Sequence, residues 1–209
     1  MRDNLLFLKH ALQEIKTVWS VTESSKYLVK KMIVPIPFCH NNLIVELGAG
    51  NGCITQALLK KLEGQSRMIS FELHPAFFNK IRHLSNEQCT IVNDNALNIL
   101  NFVDSQSVDA IVSWLPLANI GTKIKQAIIT EVKKSMKEDW LFIQFQYSLY
   151  DYKFLKKNFK SVKVQFCALN VPPAFIYICK NNRKNSSCYF FNYHSIRIGQ
   201  WSDPIISVR

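Results

Sequence analysis

Residues 43–52 read Leu-Ile-Val-Glu-Leu-Gly-Ala-Gly-Asn-Gly. Leu43 to Leu47 have the length and composition of a short buried strand, and after the glycines Ile54, Ala57, Leu58 and Leu62 recur at helical spacing. A strand that passes through Gly48, Gly50 and Gly52 into a helix lets backbone approach a ligand closely near a helix N-terminus. The glycines are spaced GxGxG. A nicotinamide-type GxGxxG needs glycine at position 53, which is Cys53, and the dinucleotide reading weakens accordingly.

Working outward, the alternation repeats. RMISFEL (67–73), CTIVN (89–93), VDAIVSW (108–114) and WLFIQFQY (140–147) read as strands. Helices are expected between them, from Pro75 to Leu84 and again with Ile124, Ala127, Ile128 and Val132 on an inner face. Strands that alternate with helices pair in parallel and carry helices on both faces. After a helix near 151–158, the runs 162–170 and 174–180 are joined only by Val171-Pro172-Pro173, too short for a crossover, so they are expected to be antiparallel. The fold class is therefore α/β: a seven-stranded, doubly wound, Rossmann-like sheet with a C-terminal antiparallel hairpin and N-terminal helices.

Those helices are expected at residues 4–18 and about 23–33, the second ending before Pro35-Ile36-Pro37. On the first, Leu5, Leu8, Leu12, Ile15 and Trp19 share an arc flanked by Arg2, Lys9 and Lys16, with Asp3 and Glu14 on the far side. That is the pattern of a helix that can lie on a membrane surface or pack on a core. Three segments result: residues 1–37 as an interface or lid element, 38–180 as the core domain, and 181–209 as a basic tail of unassigned role.

The chain has 209 residues, is 48% hydrophobic and carries a formal charge of +11. Residues 1–40 hold six Lys/Arg against three acids, 41–150 ten against ten, and 151–209 ten against two. A neutral core with basic flanks suggests an anionic partner met at the periphery. The six cysteines form no CxxC pair and no zinc spacing, so buried thiols, no metal and a reducing cytoplasmic location are expected. Charges at Asp3, Lys9, Glu14 and Lys16 break any secretory pattern. No apolar run is long enough to span a bilayer, so contact with a membrane would be peripheral.

Glu46-Leu47-Gly48-Ala49-Gly50-Asn51-Gly52 resembles the first motif of the class I S-adenosylmethionine-dependent methyltransferases. The resemblance implies that Glu46, Gly48, Ala49, Gly50 and Gly52 hold the amino-acid end of the cofactor. Glu72 with Leu73 would meet the ribose hydroxyls, Asp94 with Asn95 the adenine, and Ser113 the reactive end.

VSWLPLANI (112–120) then lies where the substrate is selected. Nucleobase amine methylases carry Asn/Asp-Pro-Pro-Tyr there, the ring stacking on an extruded base. With Pro116 at the second proline the stacking position is Leu117, and the nearest polar residue is Ser113, which leaves a base no platform. The ribosomal-RNA adenine dimethyltransferases, the alternative within this class, would also be expected to add a helical RNA-binding domain, whereas about 29 residues follow the sheet. Nucleic acid is thus disfavoured as partner.

Ser24-Ser25-Lys26-Tyr27-Leu28, Leu115-Pro116-Leu117, Gln144-Phe145-Gln146-Tyr147 and Asn170-Val171-Pro172-Pro173 together resemble the bacterial phospholipid N-methyltransferases, which methylate phosphatidylethanolamine. Ornithine-lipid N-methyltransferases share these features. The resemblance implies a phospholipid substrate on an anionic membrane surface, met by Ser24, Ser25, Lys26, Trp114, Leu115 and Pro116. Tyr147, Tyr27 and Ser113 become the catalytic candidates, and Trp114, Phe145 and Tyr147 a possible aromatic cage for a methylated ammonium. The chain departs from the pattern at Trp114, where a small residue is expected, at Glu23, and at Glu138-Asp139-Trp140, which replaces a Pro-Gly-Gly turn. A non-catalytic lipid-binding protein of the same fold is a further alternative, against which the intact glycines argue.

Overall fold

The computed structural model describes residues 25–181. The expected helix at 4–18, Lys9, Lys16, Glu23, Ser24 and the tail from 182 onward lie outside these residues.

Seven strands form one sheet: β1 (Leu43–Leu47), β2 (Arg67–Phe71), β3 (Cys89–Val92), β4 (Val108–Ser113), β5 (Met136–Gln146), β6 (Ser161–Cys167) and β7 (Ala174–Lys180). Their order is β3-β2-β1-β4-β5-β7-β6. β1 pairs in parallel with β2 and β4, β2 with β3, and β4 with β5. β7 runs antiparallel to both β5 and β6. The expected sheet and its closing hairpin are present. Strand order reverses between β1 and β4, and it is outside the carboxyl ends of the strands at such a reversal that ligands bind.

Neighbouring side chains of a strand point to opposite faces, which builds two apolar layers. Val45, Leu47, Ile111 and Phe142 face α4 (Thr122–Ser135) through its Ile124, Ile128, Ile129 and Val132. Ile44, Ala110, Val112 and Ile143 lie in the other layer with α1 (Lys26–Ile33) and α2 (Cys53–Leu59). Leu28 and Met32 of α1 are fully buried, each worth roughly 1.5–3 kcal/mol on transfer from water. Ser25 caps α1 by accepting the Leu28 amide at 3.2 Å, which contributes about 1 kcal/mol.

Several boundaries differ from the sequence reading. The helix expected to run from Pro75 to Leu84 is α3 (Pro75–Ile81) followed by a 3-10 turn, Arg82–Leu84. Six residues, 168–173, and not three, join β6 to β7. β5 starts at Met136, because Glu138-Asp139-Trp140 forms a bulge: Val108 to Ala110 on β4 is matched by Met136 to Leu141 on β5. Ala127 is exposed and Lys125 is buried. Lys125 reaches Asp151, at the N-cap of α5 (Tyr152–Asn158), in a buried ion pair. A lysine can take an inward position because its charge has a partner there.

Candidate active site

The cofactor loop is assembled from backbone strain and one carboxylate. Gly48, Gly50 and Gly52 have φ of 82°, 54° and 79°, in the left-handed region that side chains disfavour. The amides of Gly48 and Ala49 both donate to the Phe71 carbonyl, at 2.8 and 3.0 Å. The Gly50 amide donates to Glu72 Oε2 at 2.8 Å, and Glu72 Oε1 accepts the His74 amide at 2.7 Å. The loop is thereby stitched to the end of β2. These amides serve the loop itself. A side chain built on Gly50 would meet nothing within 4 Å, so the open space lies over that residue. On Gly48 it would touch Leu115 and Trp114 at 3.5 and 3.7 Å, and on Gly52 it would press Ile81 and Leu84 at 3.1 Å.

Glu46 lies beneath the loop, fully buried. Its Oε2 accepts from Thr55 at 2.7 Å and Ser70 at 2.6 Å, while its Oε1 has no partner among the described residues. Burial raises its pKa to about 7, against the opposing pull of the Ser70 and Thr55 hydrogen bonds.

At the end of β3, Asp94 Oδ1 accepts from the Asn95 amide at 2.6 Å and from Asn98 at 2.8 Å. Asn95 caps the turn Ala96–Asn101 through its oxygen and keeps a buried Nδ2 that has no partner among the described residues. Leu73, half-buried, packs against the core. Asn93, which the sequence did not single out, ties the strand ends together by donating to the Glu72 carbonyl at 2.8 Å. These residues fit S-adenosylmethionine: open space over strained glycines, a carboxylate at the end of β2, and an orphaned amide donor at the end of β3.

The chain after β4 divides between the two faces. The Trp114 amide donates to the Leu47 carbonyl at 2.9 Å, its side chain joins the α1 layer, and Leu115 joins the α4 layer. Ser113 is fully buried and its hydroxyl accepts the Leu115 amide at 3.3 Å, which shapes the turn. The Leu115 carbonyl receives Gln144 Nε2 at 2.8 Å and Gln146 Nε2 at 3.2 Å. Gln144 also donates to the Phe145 carbonyl at 2.7 Å. Both glutamines were quoted in the resemblance but given no role. The available signal was their alternation on one face of a strand end. Leu117 is fully buried.

Trp114, Phe145 and Tyr147 form a row, with centroids 4.4 Å apart for the first pair and 4.7 Å for the second. The structure therefore brings the expected aromatic cage residues together, with Phe145 buried between the other two. Trp114 Nε1 is buried without a partner among the described residues. Tyr147 shares a hydrogen bond with Asn170; burial raises its pKa and that bond opposes the shift. Asn170 also accepts the Ser25 amide at 3.1 Å and donates to the Pro172 carbonyl at 2.7 Å. Through this one side chain, the segments containing Ser25, Tyr147 and Asn170 converge. Tyr27 does not join the aromatic row and is 57% exposed. Lys26 is exposed, and Pro116 half-buried.

Residues 44–139 match the family described as a methyltransferase domain. That match, the strand order and the loop geometry together support a class I S-adenosylmethionine-dependent methyltransferase. It is 25% identical to an ornithine lipid N-methyltransferase of Singulisphaera acidiphila over 191 residues, which cover 88% of this chain and all of the relative. Among solved structures, a SAM-dependent methyltransferase from Aquifex aeolicus aligns with a TM-score of 0.57 at 12% identity, covering 72% of this chain and 88% of that one. An rRNA methylase from Streptococcus thermophilus aligns with a TM-score of 0.56 at 14% identity, covering 78% and 99%. Likeness at this level fixes the fold and leaves the substrate to the site. Among the described residues there is no cluster of metal-ligating side chains and no helix long and apolar enough to cross a membrane.

Proposed function

We propose that this chain methylates the head-group amine of a membrane lipid, phosphatidylethanolamine being the first substrate to test. The observation that carries the reading is the wall after β4. Where a base methylase presents a stacking ring, Leu117 is fully buried, and the half-buried Trp114 stands in line with Phe145 and Tyr147. Aromatic faces suit an ammonium that grows bulkier and keeps its charge as it is methylated. The lipid substrate named for the Singulisphaera relative supports the same class.

S-adenosylmethionine, when bound, supplies a methyl group on a positively charged sulfur for in-line displacement by an amine. Glu46, Gly48, Ala49, Gly50 and Gly52 form and support the loop for its amino-acid end, with Glu72 and Leu73 at the ribose and Asp94 and Asn95 at the adenine. The chain's main task is then to align the amine. Tyr147, kept protonated by burial and positioned by Asn170, serves as a hydrogen-bonding partner for the head group and not as a base. Ser113 acts through the turn it shapes. Ser25, Lys26, Leu115 and Pro116 complete the substrate side, with Lys26 toward the lipid phosphate. Cytoplasmic location with peripheral attachment to the inner membrane face belongs to this reading.

The test is expression in a bacterium that lacks methylated lipids, fed methionine labelled at its methyl group. Label is expected in methylated phosphatidylethanolamine or ornithine lipid. Label in ribosomal RNA with none in the lipid extract would overturn the reading.

A further inference from the structure

Seven large apolar side chains are exposed among the described residues, and five of them, Tyr27, Leu149, Tyr150, Leu169 and Val171, lie on segments that meet at one edge of the sheet. The register places them there. Gln146, the last residue of β5, pairs with Phe175 at the start of β7, and Cys167 at the end of β6 pairs with Ala174. The turn 168–173 therefore projects beyond the same edge from which β5 runs on into Leu149 and Tyr150. Asn170 pins the start of α1 to this turn by accepting the Ser25 amide, which brings Tyr27 alongside. Leu169 is 58% exposed and Val171 76%, while Asn170 between them is buried. The turn thus holds its polar side chain inward and presents its apolar ones to the outside, the reverse of an ordinary surface turn.

The charges of this edge have one sign. Residues 25–34, 147–153 and 168–173 contain Lys26, Lys30, Lys31 and Lys153 and a single acid, Asp151. Asp151 is buried and paired with Lys125, so it presents no charge outward. Lys26, Lys30 and Lys153 are exposed. Apolar tips ringed by lysines complement an interface that is apolar within and anionic at its surface.

We propose that this edge is the face by which the enzyme lies on an anionic lipid bilayer. Leu169, Val171, Leu149 and Tyr150 enter the head-group layer, and Lys26, Lys30 and Lys153 meet phosphates. The proposal rests on the lipid reading of the site, since Tyr147 borders the same edge and a lipid held there would present its amine without leaving the bilayer.

The experiment is co-sedimentation of the full chain with vesicles of phosphatidylglycerol and phosphatidylcholine, and with phosphatidylcholine alone. The double variant Leu169→Asp/Val171→Asp changes two exposed side chains, and thermal unfolding checks its fold. Leu149→Ser/Tyr150→Ser serves as a second, independent variant. Wild type is expected to prefer the anionic vesicles and to lose binding as salt rises. Each double variant is expected to partition about tenfold less, from the lost apolar insertion and, for the aspartates, added repulsion, with unchanged affinity for S-adenosylmethionine. A folded double variant that binds vesicles as wild type does overturns the surface, and so does a wild type that binds structured RNA in preference to vesicles. Partitioning is read without turnover, so its outcome is independent of whether lipid labelling supports the substrate.

Discussion

The Gly50 amide donates to the Glu72 carboxylate at 2.8 Å, so the acid proposed to hold a ribose also holds the loop proposed to carry the amino-acid end of the cofactor. Removing the carboxylate affects both. Glu72→Ala is expected to weaken S-adenosylmethionine binding by more than the roughly 1–3 kcal/mol of one hydrogen bond to a charged group, because the Gly50 and His74 amides lose their acceptor as well. Calorimetric titration measures it, and an affinity within threefold of wild type would refute the assignment.

Gly50 and Gly52 share a left-handed backbone but differ in what surrounds them. Gly50→Ala projects into open space and Gly52→Ala into Ile81 and Leu84 at 3.1 Å. The first is expected to cost about 1 kcal/mol in backbone strain and to lose cofactor affinity. The second is expected to lower the unfolding temperature further, since overpacking adds about 1–3 kcal/mol. Unfolding and binding measured on both proteins separate a ligand-facing glycine from a packing one.

Gln144 holds the Leu115 carbonyl and thereby the wall that carries Trp114. Gln144→Leu removes both of its donated hydrogen bonds. It is expected to reduce the turnover number about tenfold or more through misplacement of the substrate wall, with little change in cofactor affinity. Gln144→Glu, which turns the donor into an acceptor facing two carbonyls, is expected to be worse. Equal losses in cofactor binding and turnover would show that Gln144 supports the fold alone.

Burial raises the Glu46 pKa from 4.5 to about 7, so the folded chain holds this proton more tightly than the unfolded one. Its contribution to stability is therefore full below about pH 4.5, falls as pH rises toward about 7, and is constant above. Glu46→Gln removes that dependence. The stability difference between wild type and variant is expected to change by roughly 3 kcal/mol across this window, measurable by denaturant titration at a series of pH values. A flat difference would contradict the burial of an acid at this position.

Much of this was legible in the chain. The glycine loop, the alternation of strands and helices and the closing hairpin follow from local periodicity and from backbone conformations that only glycine adopts easily. Boundaries were less legible. The bulge at Glu138-Asp139-Trp140 and the inward Lys125 depend on partners, β4 and Asp151, that lie outside any local window.

By itself the sequence determined the fold class and marked the glycine loop and the strand-end acids Glu72 and Asp94 as candidates, because each is encoded in residues adjacent along the chain. Only the tertiary structure decided what those residues do for one another. It alone joined Gly50 to Glu72, Gln144 to Leu115, and Ser25 to Asn170 across 145 positions. Such hydrogen bonds leave no periodic trace, since they form only where packing of the sheet and its helices brings a donor and an acceptor together and excludes the water that would otherwise satisfy both.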